Sequence, residues 1–148
     1  MSDVQPEPRA LTLSGSRSGE PRTVKGFAAS YLRLCRGQAR PLTSMLVPQA
    51  GEWLLRADGD LELELAGDPP RALAPGEVVV PRLDRVVQLL RAEAEALVVD
   101  YHSGDYACVA FDAEGRSLAN VVSRNPEEAA LRALLFVQSE KAENVPTA

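Results

Sequence analysis

The residues with the most chemical promise lie in one short turn. Tyr101-His-Ser-Gly-Asp-Tyr106 contains the chain's single histidine, with a serine and an aspartate beside it. Together these suggest a base, a nucleophile and an acid. A hydrolytic triad, however, is a matter of convergence in space, and three groups within four residues of one turn rarely converge. His102 therefore reads as a solvated turn histidine. A hydrolase-type enzyme built on His102 and Asp105 ranks last among the functional readings.

The two cysteines, Cys35 and Cys108, form no CxxC pair, and no secretory leader opens the chain. Both features point to a reducing, cytoplasmic setting with two free thiols. Cys108 falls inside a strand pattern and reads as an inert buried thiol. Cys35 reads the same way, although Arg33 and Arg36 beside it could lower its pKa somewhat. One histidine and two distant cysteines make no metal signature. Asp58-Gly59-Asp60 and Asp112–Glu114 lack the spacing of a calcium loop and read as turn residues. No glycine-rich phosphate cradle is present. No catalytic residue, metal ligand or cofactor is assigned.

Binding chemistry has more candidates. Trp53, the lone tryptophan, is of the type that anchors interfaces. Tyr101, His102, Asp105 and Tyr106 cluster in the polar turn. Arg33, Arg36 and Arg40, with Tyr31 alongside, form a small basic group. A net charge of -5 argues against a nucleic-acid surface, so these arginines read as a solvated helix face.

Positioning these residues falls to a stretch from Leu97 to Gln138. Tyr106 to Phe111 alternates as a half-buried strand, with Tyr106, Cys108 and Ala110 on one face. Asp112-Ala-Glu-Gly115 turns the chain, and Leu118 to Val122 returns as the partner of a hairpin over 106–122. Asn125 is a suitable N-cap, Pro126 suits the first helical position, and Glu128 completes a capping box. The helix from Pro126 to about Glu140 is apolar nearly all round, wider than a one-sided surface helix requires. Leu131, Leu134, Leu135 and Phe136 are therefore the candidate oligomer-interface residues, with a second protomer covering the additional side.

Upstream, Trp53 to Arg56 and Leu61 to Leu65 form a hairpin across Asp58-Gly59. Its alternation points Leu61, Leu63 and Leu65 to the core and Glu62 and Glu64 to water. Asp68-Pro-Pro70 is a loop, and Pro75-Gly76 turns into a buried strand at 77–80. Lys25 to Gly37 reads as a helix ended by Gly37. Leu42 to Val47, bracketed by Pro41 and Pro48, reads as an edge strand. Leu83 to Ala94 has helical spacing, and two strands over 85–91 and 96–101 are the rival reading. Met1 to Thr23 is rich in proline, glycine and serine and reads as a disordered tail, with Leu11-Thr-Leu13 as a possible added edge strand. Residues 24–141 read as a single domain and 142–148 as a C-terminal tail. The chain's 148 residues can bury one core, and no apolar run reaches the roughly 20 residues that span a membrane. The expected fold is α+β: an antiparallel sheet of five to seven strands packed with the C-terminal helix and one or two others.

Two stretches resemble known families. Residues 52–81, through ADGDLELEL and then ALAPGEVVVPR, are similar to the hairpin and "PGD-x-x-x-P" strand of cupin-type and cyclic-nucleotide-binding-type β-barrels. The resemblance implies strands over 85–101. Cupin metal sites use several histidines and a glutamate. This chain has one histidine, at 102, outside the matching segment, so the resemblance implies no metal here. Residues 105–137 separately resemble the strand–strand–helix of small prophage "ABA sandwich" proteins, through Asn125-Pro-Glu-Glu-Ala-Ala-Leu-Arg-Ala-Leu134.

The leading expectation is a non-catalytic, cytoplasmic, homodimeric protein-interaction module of adaptor, chaperone or phage-type inhibitor character. It would dimerise through the C-terminal helix or a sheet edge and bind an unidentified protein partner. The alternative is a metal-free, cupin-like module for a small ligand.

Overall fold

The computed structural model describes residues 23–46, 51–64 and 72–143. Of the tail expected at 1–23, residues 1–22 with the Leu11–Leu13 segment lie outside the described residues, as do Leu65, the loop at 68–70 and the residues after 143, while Thr23 is paired in a strand. The fold is α+β. Among the described residues it comprises two three-stranded antiparallel sheets, a two-stranded ribbon and four helices.

The ribbon pairs β1 (Thr23–Val24) with β2 (Phe27–Ala28) across Lys25-Gly26. Both turn residues have positive φ, 54° and 88°, the signature of the two-residue hairpin turn whose twist matches its strands. Helix α1 (Ala29–Gly37) follows. The helix expected from Lys25 thus begins four residues later, because positive φ at Lys25 and Gly26 is incompatible with a right-handed helix. After Gln38 the chain forms helix α2 (Ala39–Met45), which corrects the edge strand expected at 42–47. Pro41 falls in the first turn, where a missing N–H leaves no bond unmade. Leu42 and Leu46, both buried, are one helical turn apart. The prolines bracketing this run had suggested a strand.

Strands β3 (Trp53–Leu55) and β4 (Leu61–Leu63) form the expected hairpin, with Asp60 N–H held by Asp58 Oδ1 at 2.9 Å and Gly59 at φ 98°. Strand β5 (Val78–Val80) pairs with the other side of β3, giving the order β4-β3-β5. All three valines are buried, as a strand covered on both faces requires. Helices α1 and α2 pack on β5.

Residues 83–93 are helical: α3 (Leu83–Glu93) buries Val86 and Leu90 one turn apart. Of the two readings of this segment the structure has the helix. Strands β6 (Ala96–His102), β7 (Asp105–Phe111) and β8 (Ser117–Ser123) then run as a meander in the order β6-β7-β8. Ser103-Gly104 makes a second positive-φ turn (55° and 88°), and a bulge at Ala110/Phe111 interrupts the β7–β8 ladder. Helix α4 (Pro126–Glu143) opens with the expected cap. Glu128 N–H donates to Asn125 Oδ1 at 2.7 Å, and Asn125 Nδ2 donates back to Glu128 Oε1 at 3.3 Å. Helix α4 lies across β7 and β8, with α3 and α1 on its other side. One apolar core joins Tyr31, Leu42, Leu54, Val79, Val86, Leu131 and Leu134.

Candidate interaction surface

Of the five binding candidates the fold brings four together. Tyr101 pairs with Tyr106 and His102 with Asp105 at the closed end of the β6–β7 hairpin. The tyrosine rings meet with centroids 4.9 Å apart, tilted by 51°, in the range where aromatic pairs attract. Arg124 Nε sits 3.9 Å from Asp105 Oδ1. That exposed ion pair contributes little to stability. Trp53 stands apart in β3, half-buried, with Lys25 Nζ 5.8 Å from its ring centroid, a cation–π contact. Among the described residues no side-chain hydrogen bond links His102, Ser103 and Asp105.

The three-stranded meander has two unlike faces. On the inner face Cys108, Ala110 and Ala119 are buried beneath α4. The ladder registers place Val98, Val109 and Asn120 in one row of the outer face and Asp100, Ala107 and Val122 in the next. His102, Asp105 and Arg124 edge it at the hairpin end. Val98, Val109, Phe111 and Val122 take no part in the apolar core. Val98 is 47% exposed and Val122 62%. A strip of branched and aromatic side chains thus crosses three strands, and among the described residues no helix lies over it.

The candidate oligomer residues divide. Leu131 and Leu134 are fully buried inside the chain, Leu135 is half-buried, and Phe136 is 49% exposed. The breadth of α4's apolar arc is met within one chain: the sheet covers one side and α1 and α3 the other.

Several polar groups sit otherwise than the alternation suggested. Glu64, expected in water, is buried together with its cross-strand neighbour Glu52. Glu64 N–H donates to Glu52 carbonyl O at 2.8 Å, and Arg85 Nε of α3 lies 3.5 Å from Glu52 Oε2. No spacing in the sequence links positions 52, 64 and 85; the ladder and the placement of α3 do. Ser30 of α1 donates to Glu128 Oε1 at 2.9 Å, tying α1 to the first turn of α4. Burial works against the Glu128 carboxylate, yet bonds from Arg132, Ser30 and Asn125 outweigh it and hold its pKa below the ordinary value.

The thiols are both buried and unpaired. Burial pushes Cys35 up to about 12, opposite to the lowering expected from Arg33 and Arg36. Arg36 is turned away to donate to the Gly76 and Arg56 carbonyls at 3.1 and 2.6 Å. Burial likewise raises Cys108. Among the described residues no three histidine, cysteine or carboxylate side chains gather as a metal site, and no helix is long and apolar enough to cross a membrane. No family model, curated protein or solved structure matches the chain.

Proposed function

We propose that this chain is a non-catalytic protein-interaction module, regulatory or adaptor-like, that works as a cytoplasmic homodimer and holds a partner protein on the outer face of the β6–β7–β8 sheet. The observation that carries the reading is the apolar strip Val98–Val109–Phe111–Val122, half-buried at Val109 and Phe111 and exposed at Val98 and Val122, on a sheet whose other face packs against α4. The partner surface that fits it is apolar, with a basic group to meet Asp100 in the row beside Val122. Tyr101 and Tyr106 lie in the register of the opposite face, beside Cys108, and so stand outside this strip. Two unpaired thiols fit a reducing compartment.

The test compares immobilised wild-type chain with Val122→Asp, using cross-linked extract and a melting curve for each. Val122 is exposed enough for the aspartate to leave the fold intact. Proteins retained by the wild type and reduced at least about tenfold by Val122→Asp, an effect of ~1.4 kcal/mol, support the reading. An identical retained set in both, or none in either, overturns it.

A further inference from the structure

Strand β6 is the edge of its sheet, and among the described residues no strand pairs with its outer side. In a two-residue hairpin the pair flanking the turn, here His102 and Asp105, exchanges both backbone bonds. By alternation Asp100, Val98 and Ala96 bond inward to β7, while Tyr101, Val99 and Leu97 present N–H and C=O outward. The strand is seven residues long and exposed along nearly all of it, Val99 at 40% and Tyr101 at 60%. It carries no lysine, arginine or proline. The only bulge of this sheet lies between β7 and β8. The usual devices that keep an edge from pairing are thus missing over most of its length.

The two ends of this edge are nevertheless closed. Tyr101 N–H donates to Asp100 Oδ1 at 2.9 Å. Glu95 N–H donates to the Phe111 carbonyl at 2.8 Å. Between them Leu97 and Val99 keep outward groups, on either side of Val98. We infer that a second copy of this chain pairs antiparallel with these groups, its two-fold axis passing beside Val98, so that two three-stranded sheets join into one of six strands. The inference rests on the homodimer reading above and names its interface.

The register follows from Asp100. With the axis at Val98, Leu97 of one copy faces Val99 of the other, twice, and four backbone bonds form. Val98 meets its own counterpart in a non-hydrogen-bonded pair, where side chains approach most closely. Asp100 faces Ala96. Moving the axis to Val99 sets Leu97 against Tyr101, whose N–H is already taken, and sets Asp100 against Val98. Moving it to Asp100 sets two carboxylates side by side, which repel. The two outer faces, each with its apolar strip, become continuous across the junction.

The test uses the full chain and two variants in light scattering and mild oxidation. Val99→Pro removes one outward N–H that the monomer does not use, a place where edge strands accept proline. V98C places a thiol on the axis; both native thiols are buried. Expected are a wild-type dimer, a dissociation constant raised at least about tenfold by Val99→Pro with an unchanged circular dichroism spectrum, and a covalent dimer from V98C but not from V122C. A wild-type monomer at high concentration overturns both this interface and the homodimer reading. A dimer that persists in Val99→Pro, or one that V98C does not cross-link, overturns the β6 pairing and leaves the homodimer reading standing.

Discussion

At position 35 the environment in space outweighs the neighbours in sequence. Arg33 and Arg36 flank Cys35, but the guanidinium of Arg36 points to backbone carbonyls while the thiol is buried beside Tyr31. A thiol held near 12 is almost entirely neutral at physiological pH, and the thiolate is the reactive form. Cys35 should therefore resist alkylation in the native chain and react fully in denaturant. Native labelling at the rate of a free peptide thiol would contradict this. Glu128 has the opposite character, since its ionised form is the one its neighbours hold. A carboxyl whose folded pKa is depressed contributes stability above its unfolded pKa and loses it as pH falls through the folded value. The melting temperature of the wild type should exceed that of Glu128→Gln at neutral pH, and the gap should close below about pH 4. A gap independent of pH would place the role of Glu128 in packing instead. The α4 cap was legible because its residue types stand at fixed local offsets. Glu52, Glu64 and Arg85 were not, because they meet only once the strands and α3 are in place.

Among the elements, the 53–63 and 106–122 hairpins and the capped helix α4 were readable, and two others were not. Leu42 and Leu46 have helical spacing, but the surrounding prolines suggested an extended run, since the tolerance of proline in a first helical turn depends on where that turn begins. The helix expected from Lys25 loses its start to a tight hairpin that Lys25-Gly26 encodes in only two residues. Turns also differ in how tightly they are built. Gly76 has φ 81°, and an added Cβ would come within 2.8 Å of the Ala57 Cβ, whereas Gly59 at φ 98° faces open space. Each alanine carries the left-handed backbone cost of about 1–2 kcal/mol. Gly76→Ala adds a clash between the turn before β5 and the β3–β4 loop. Urea denaturation should show Gly76→Ala as the more destabilised of the two; equal midpoints would mean that the loop yields freely.

For the molecule as a whole, the broad apolar arc of α4 was read correctly and its partner incompletely. The sequence shows that a second side must be covered but not that α1 and α3 of the same chain reach it, since that depends on how two sheets are arranged. Leu134→Ala should cost about 2–5 kcal/mol in unfolding free energy, as for a fully enclosed leucine. Phe136→Ala, at the exposed side, should cost about 1 kcal/mol or less. A large loss at Phe136 would show that this ring is covered in solution. The exposed outer face was likewise beyond periodicity. Val98 and Val122 look like core residues in any alternation, and what distinguishes them is that no helix of the described residues lies over that face.

The bond from Ser30 to Glu128 has a temporal meaning as well. Helix α1 is made before its partners, since its tyrosine hydroxyl donates to the Pro81 carbonyl at 2.6 Å and its serine to a residue 98 positions downstream. The β6–β7–β8 meander and α4, by contrast, find most of their partners within a few dozen residues, the kind of contact that closes quickly. Helix α1 is therefore translated before the meander and α4 but completed after them. A chain stalled on the ribosome before residue 125 should leave α1 open to protease, and release of the remaining residues should protect it.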